Sequence, residues 1–315
     1  MGIIVRRLLK KSWARTAELD RARLTAQVPL PTVRVIPDLA YLDDGNPLHL
    51  LNIYMPQDAQ GLLPVIIDIH GGGWMYGDKD LNRQYDMFFA SKGYVVLAMS
   101  YRLLPETDLC GQVQDVYASL HWLSTNGEKY HCDLSRVFLT GDSAGGHLSG
   151  LVTCIQQSSF LQNLYGVEPF SFAIRAITIS HGVCDVHEPA FVRNTAVRRV
   201  GKEILRMLLG RRLSRSPFFN HASFRQTAEG LAIPPIRLIS SEADPLHPQS
   251  VSLQAYLAAS GRMYEARFWT KEQGEKLGHV FHVMNPAWPE SLQTNLETLA
   301  FFSACEQGAS TRPAE

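Results

Sequence analysis

The sequence has no excess of either charge, since its 30 Lys and Arg residues are balanced by 30 Asp and Glu residues. Proteins that bind nucleic acids carry a cationic excess to neutralise phosphates, so the balance argues against a nucleic-acid partner. The sequence also lacks any apolar run long enough to cross a bilayer, and its first residues lack the apolar core of a signal peptide. We therefore expect no stable membrane insertion.

Cysteine is scarce as well. The five cysteines are odd in number and far apart, at positions 110, 132, 154, 184 and 305. No pair has the spacing of a metal-binding or redox motif, and scattered cysteines without a disulfide framework are typical of reduced thiols. The sequence thus predicts a cytoplasmic protein, and it implies neither a metal nor an organic cofactor.

The most informative stretch is Gly-Asp-Ser-Ala-Gly-Gly at 141–146. An apolar, β-prone run at 136–140 leads into it and a helix-prone segment of small residues follows, so Ser143 is predicted on a strand-to-helix turn. Such a motif can arise by chance in a glycine-rich loop, but this context favours a nucleophile elbow, which exposes the serine hydroxyl. Ala144 would open the helix and direct its N–H towards an oxyanion.

A second motif follows another predicted strand. The apolar run at 64–69 is typical of a buried parallel strand, and it ends in His-Gly-Gly-Gly-Trp at 70–74. Consecutive glycines offer backbone N–H groups to an anion, and motifs of this type supply half of the oxyanion hole in lipases and esterases. We predict that Gly71 and Gly72 form the oxyanion hole together with Ala144.

These two motifs, with Tyr-Arg-Leu-Leu-Pro-Glu at 101–106 between them, resemble those of the hormone-sensitive-lipase family of α/β-hydrolase esterases. The similarity runs from about residue 48 to about residue 304. It implies an α/β-hydrolase fold with a helical cap or lid insertion, and hydrolysis of short- or medium-chain carboxylic esters. The alternation of strands and helices independently predicts a mostly parallel central sheet with helices on both faces.

A serine nucleophile needs a base and an acid, which follow it in the order Ser, Asp or Glu, His in this fold. We predict Asp244 as the acid, because Asp-Pro-Leu after a late strand is similar to the family's acid motif. The base is predicted to be His279, in a His-x-Phe sequence similar to the family's histidine motif, although the family more often has Gly in the middle. Glu242 or Asp185 as the acid, and His282 as the base, remain alternatives.

Other polar and aromatic residues lie close to these motifs. Trp74 and Tyr76 are candidates for lining the substrate pocket, although an aromatic residue after a glycine turn can equally belong to the core. His70, Asp142 and His147 are expected to brace the surrounding loops by hydrogen bonding.

Two basic segments flank or interrupt the predicted catalytic domain, which spans 33–306. Residues 1–32 carry seven Lys or Arg residues with apolar residues at helical spacing, which predicts a basic amphipathic helix. That helix could cap the active site or make peripheral contact with a membrane. The basic insertion at about 185–230 is either a lid or a helical excursion that packs on the core. Residues 307–315 are expected to form a flexible tail.

Three classes of function fit these observations. The first is a serine hydrolase acting on small-molecule carboxylic esters through an acyl-enzyme on Ser143. The second is an amidase or aryl-formamidase that uses the same residues. The third is a non-catalytic ligand-binding protein on the hydrolase scaffold, which the complete set of predicted catalytic residues disfavours. The sequence leaves open whether the protein forms a homodimer.

Overall fold

The computed structural model describes residues 2–188, 194–274 and 276–307. Its centre is an eight-stranded sheet in the order β1-β2-β4-β3-β5-β6-β7-β8. Strands β1 and β2 form an antiparallel hairpin, β2 pairs antiparallel with β4, and every other neighbouring pair is parallel. The strands are β1 (Val33–Ala40), β2 (Leu50–Pro56), β3 (Leu63–Ile69), β4 (Val95–Met99), β5 (Cys132–Asp142), β6 (Ile174–Ser180), β7 (Ile236–Ser241) and β8 (Tyr264–Trp269).

Helices cover both faces of this sheet. They are α1 (Gly2–Ala26), α2 (Arg83–Ala90), α3 (Leu109–Asn126), α4 (Ala144–Gln156), α5 (Ser159–Tyr165), α6 (Thr195–Leu209), α7 (Phe224–Thr227), α8 (His247–Ala259), α9 (Phe281–Met284) and α10 (Pro289–Glu306). Short 3-10 helices lie at Gly127–Tyr130, Leu213–Arg215 and Phe219–His221.

Strand β3 shows why the sheet is buried on both faces. Val65 and Ile67 belong to a core cluster with α3 and α4, whereas Ile66 between them belongs to a second cluster with α2 and α10. Successive side chains of a strand point to opposite faces, so a continuous apolar run packs against both helical layers. The predicted α/β-hydrolase architecture is confirmed.

The two basic segments form helices that pack against each other. The guanidinium of Arg6 on α1 lies 2.6 Å from the carboxylate of Glu203 on α6. Helix α6 lies in the predicted insertion and buries Leu205 and Leu208 in the core. The described residues include no helix with both the length and the hydropathy needed to cross a membrane. The last eight residues of the predicted tail lie outside the described part of the chain.

Candidate active site

Ser143 lies on a tight turn between β5 and α4. Its φ of 51° and ψ of −115° are strained for a residue with a side chain. The turn leaves no space for larger neighbours, because a Cβ on Gly145 would lie 1.8 Å from the carbonyl oxygen of Ile69, and one on Gly141 would lie 2.4 Å from that of Gly145. The small residues of the motif are therefore a steric requirement of the turn.

His279 and Asp244 are hydrogen-bonded to each other. The Nδ1 atom of His279 lies 3.1 Å from Oδ1 of Asp244, which leaves the Nε2 atom of the ring for another partner. Asp244 is buried, whereas the side chain of His279 is 36% exposed. His279 and Ser143 line the same cavity, whose volume is about 130 Å³. The structure thus brings the predicted base and nucleophile to one small space.

The carboxylate of Asp244 accepts more than the bond from His279. Its Oδ1 also accepts the N–H of Leu246 at 2.9 Å, and its Oδ2 lies 2.5 Å from Nδ1 of His181. Burial opposes ionisation of this carboxyl, but the hydrogen bonds from His181 and His279 outweigh burial and hold the pKa of Asp244 well below its usual range. Asp244 is therefore ionised at neutral pH.

His181 was missed by the sequence reasoning. It directly follows β6, and parallel α/β folds place functional residues at the carboxyl ends of their strands. Its place directly after a strand could have identified His181 as a candidate, but His181 belongs to no known motif. The ring of His181 is fully buried.

The two alternative acids do not contact His279. Glu242 is exposed and accepts the backbone N–H of Lys271. Asp185 accepts hydrogen bonds from His187 and from the Ser223 hydroxyl. Burial opposes ionisation of Asp185, but these bonds outweigh it and lower its pKa to about 2. Both carboxylates therefore have other partners.

The alternative base, His282, is enclosed in the core. Its Nε2 atom lies 2.5 Å from the Ser180 hydroxyl and its Nδ1 atom lies 2.8 Å from the side-chain oxygen of Asn295. Burial lowers the pKa of His282 to about 3 and so keeps the ring neutral. Both ring nitrogens are occupied, so the geometry gives His282 a structural role.

The oxyanion loop departs from the sequence-based expectation at one residue. The N–H of Gly71 donates a 3.0 Å hydrogen bond to the Asp142 carboxylate, so Gly71 does not offer this group to a substrate. The side-chain amide of Asn82 donates to the same carboxylate oxygen at 2.9 Å and thereby fixes the loop. Gly72 lines the cavity, and Ala144 opens α4, where an N–H has no intrahelical acceptor. Gly72 and Ala144 remain as candidate donors.

His70 and His147 have the geometry expected of bracing residues. The His70 ring stacks on Tyr101 with 4.3 Å between centroids, and its Nδ1 lies 2.9 Å from the carbonyl oxygen of Gly71. His147 Nε2 lies 2.6 Å from the carbonyl oxygen of Ala222. Burial lowers the pKa of both histidines to about 4, so both are neutral at pH 7.

The two candidate pocket aromatics lie in different places. Trp74 is buried in the core and its indole N–H donates to His147, so it does not line the cavity, which corrects the expectation. Tyr76 lines the cavity, and its hydroxyl donates to Asp20 on α1 at 3.1 Å. Its ring also stacks on Trp13 of α1, with 5.5 Å between centroids. Tyr76 thus connects the oxyanion loop to the first helix.

Helix α1 forms one wall of the cavity. Trp13, Thr16, Asp20 and Arg23 all line it, and Arg23 is held by Asp20 and by the carbonyl oxygen of Leu81, each at 3.0 Å. The described residues of the 185–230 insertion do not line this cavity. Met207 of this insertion lines a larger cavity of about 750 Å³. Trp13 lines both cavities.

His181, Asp244 and His279 are also close enough to be considered as metal ligands, since one potential ligand atom from each lies within 4.8 Å of the others. Both carboxylate oxygens of Asp244 already accept hydrogen bonds from the two rings. Hydrogen bonding therefore accounts for the cluster, and we interpret it as one acid shared by two histidines.

Comparison with known proteins shows the family to which this chain belongs. Residues 51–257 match the family model BD-FAE. Esterase B from Lactobacillus rhamnosis (HN001) superimposes with a TM-score of 0.92 at 38% identity, over 98% of this chain and 96% of that one. Carboxylesterase NlhH of Mycobacterium tuberculosis is 26% identical over 90% of this chain and 88% of its own. Arylacetamide deacetylase of Bos taurus is 37% identical over 109 residues, which are 32% of this chain and 27% of that protein.

The fold and these relatives define the protein as a carboxylic ester hydrolase of the α/β-hydrolase fold, of the hormone-sensitive-lipase type. Within that class, the chain belongs to the BD-FAE family. The relatives that span the chain are esterases.

Proposed function

We propose that the protein hydrolyses short- to medium-chain esters through an acyl-enzyme on Ser143, with His279 as the base and Asp244 as its acid. One observation carries the proposal: a serine on a strained strand-to-helix turn and a histidine bonded to a buried carboxylate line the same 130 Å³ cavity. The ionised state of Asp244 is the state needed to stabilise an imidazolium.

The chemistry proceeds in two steps. The Ser143 hydroxyl transfers its proton to Nε2 of His279, because Nδ1 is engaged with Asp244, and its oxygen attacks the ester carbonyl. The tetrahedral intermediate collapses, and the alcohol leaves with the proton from His279. Water then gives a proton to His279 and attacks the acyl-enzyme, which forms a second tetrahedral intermediate. As this intermediate collapses, His279 returns the proton to the oxygen of Ser143 and the acid is released.

The oxyanion of both intermediates is proposed to bind the N–H groups of Gly72 and Ala144. These groups belong to the loop and to the helix start that flank Ser143, so they can donate to the same oxygen. A preorganised donor of this kind typically contributes about a hundredfold to a thousandfold in rate. In this proposal Gly71 supports the hole indirectly, through its bond to Asp142.

The small cavity favours a short acyl group. Its volume of about 130 Å³ is far below the 750 Å³ of the cavity beside it, so it has room for a short acyl chain rather than a long one. Esterase B has also been crystallised with a tributyrin phosphonate, whose acyl groups are short. Butyrate esters are therefore the substrates to test first.

We further propose that residues 1–32 act as the cap of a catalytic domain spanning 33–306. The inner face of α1 supplies four residues to the cavity wall, including Trp13. Its outer face exposes Ile4 and Leu8 among basic residues, which favours peripheral contact with an anionic membrane as an additional role. The five cysteines are all unpaired, which supports a reducing compartment such as the cytoplasm.

The test is the Ser143→Ala variant. With p-nitrophenyl butyrate, we expect turnover to fall by more than roughly a thousandfold while the circular dichroism spectrum is unchanged, because only the nucleophile is lost. Turnover close to that of the wild type would refute the acyl-enzyme on Ser143.

An amide substrate is the second candidate. The local match to arylacetamide deacetylase, a protein named for an amide, is the observation that favours it. Rates on an aryl acetate and on the matched aryl acetamide separate the two functions, because acyl pocket and aryl group are the same and only the leaving atom differs. We expect the ester to be faster, and a faster amide would move the assignment to amidase.

A further inference from the structure

The turn after β6 connects two parts of the candidate site. The backbone N–H of Ser143 donates to the carbonyl oxygen of Ser180 at 2.9 Å, and the carbonyl oxygen of Ser143 accepts the N–H of Val183 at 3.1 Å. The side chain of His181, between these two residues, bonds to Asp244 at 2.5 Å. One four-residue turn therefore holds the nucleophile through its backbone and the acid through a side chain.

His181 occupies a conformation that residues with side chains rarely adopt. Its φ is +49°, in the left-handed region where residues other than Gly are uncommon, although Asn, Asp and His occur there more often than the rest. Its N–H donates to the carbonyl oxygen of Ile239 at 2.7 Å. A buried histidine without a specific partner would have little reason to hold this backbone. The conformation aims Nδ1 at the carboxylate.

The proton on His181 can be assigned from its surroundings. Asp244 is ionised and can only accept, so Nδ1 of His181 carries the donated hydrogen. The Nε2 atom is buried and has no partner in the described part of the chain. A second proton on Nε2 would find no acceptor. The titratable groups next to the His181 ring include the rings of His279, His247 and His282. Burial lowers the pKa of His181, which is therefore a neutral donor.

We propose that His181 is a positioning residue for ester hydrolysis. Its Nδ1–H fixes Oδ2 of Asp244, so that Oδ1 is held towards His279. The turn that carries His181 also bonds to the backbone of Ser143 and thereby fixes the position of Asp244 relative to Ser143. The proposal rests on the triad proposed above, because His181 acts through Asp244. It assigns Asp244 two histidines with different tasks, since only His279 lines the cavity that substrate enters.

Two variants separate the hydrogen bond from the backbone. His181→Asn keeps an N–H donor at the position of Nδ1 and tolerates the positive φ, whereas His181→Gly tolerates the φ but has no donor. His131→Gly is the matched control, because His131 has a φ of +63° at a half-buried position that does not line the cavity. It relaxes a similar backbone strain without touching the site.

We expect His181→Gly to lower kcat by about tenfold to a hundredfold, the loss typical of one hydrogen bond to a charged group, with KM within about twofold. His181→Asn should recover most of this loss, and His131→Gly should match the wild type. The rate at which a fluorophosphonate labels Ser143 should fall in parallel with kcat.

Wild-type kcat in a folded His181→Gly protein would overturn the proposal, as would a His181→Asn protein that is no more active than His181→Gly at equal thermal stability. Ser143→Ala is measured in the same series. If Ser143→Ala is active, the triad itself is wrong; if it is inactive while His181→Gly retains full activity, only the role of His181 is wrong.

Discussion

Replacing Trp13 by Ala should change which esters the enzyme prefers. Trp13 lines both the 130 Å³ cavity at Ser143 and the 750 Å³ cavity beside it, and its ring stacks on Tyr76. Removing the indole would join the two spaces. A longer acyl chain could then extend from Ser143 along the apolar side chains of the larger cavity, which include Met75 and Leu103.

The size of the effect follows from the burial of methylene groups. Each buried methylene contributes about 0.8 kcal/mol, which is about fourfold in kcat/KM, so the four extra methylenes of an octanoate ester set an upper limit of about two hundredfold. The new chain also loses rotamer freedom, so we expect the ratio of kcat/KM for octanoate over butyrate to rise by about tenfold or more.

The assay is hydrolysis of p-nitrophenyl esters from acetate to palmitate by the wild type, Trp13→Ala and Leu19→Ala. Leu19 lies on the same helix but is 67% exposed, so its truncation controls for changes in α1 itself. The wild type and Leu19→Ala should prefer short chains. An unchanged chain-length profile in a Trp13→Ala protein that still cleaves butyrate would refute Trp13 as the wall between the cavities.

Two further predictions concern buried carboxyls. Asp244→Asn should keep the fold but lower kcat by roughly a thousandfold or more, because an amide cannot stabilise the imidazolium of His279. The measurement is steady-state kinetics at pH 8, and a smaller loss of kcat would contradict the role of Asp244 as the acid. Asp86 is buried without a hydrogen-bond partner for either carboxylate oxygen in the described ranges, and burial together with Asp68 and Asp142 raises its pKa. The stabilisation that the protonated Asp86 side chain contributes is therefore complete below the pKa of an Asp side chain in the unfolded protein, about 4. It is lost as the pH rises towards the higher pKa of Asp86 in the folded protein. Asp86→Asn should raise the melting temperature at pH 8 and change it little at pH 4, and equal shifts at both values would show that charge is not the cause.

The residues brought together at the cavity were largely predictable from the sequence, because the motifs that carry them are local. Ser143 needs a strand, a turn and small neighbours, all of which are adjacent in the chain. The close approach of Gly145 to the backbone of Ile69 shows why the neighbours must be small. Asp244 and His279 follow late strands, and their meeting depends only on the parallel topology.

What the sequence could not predict depends on contacts between distant segments. The N–H of Gly71 is engaged by a side chain 71 residues later, so a glycine count alone cannot reveal which donor faces the substrate. His181 has no motif, and its importance becomes visible only through its bond to Asp244. Both basic helices were candidates to cover the site, and the stacking of Trp13 on Tyr76 selects α1 for the cavity wall.

The position of α1 has a consequence for how the protein is made. One wall of the cavity comes from Trp13, the proposed nucleophile is Ser143 and the proposed base is His279, so the three residues follow one another in this order along the chain. The residues of the proposed cap are therefore synthesised before the proposed nucleophile, and the proposed base is synthesised after it. We therefore expect a nascent chain to stay inactive towards esters until His279 can join Ser143, and by then the segment that restricts what enters the cavity has already been made.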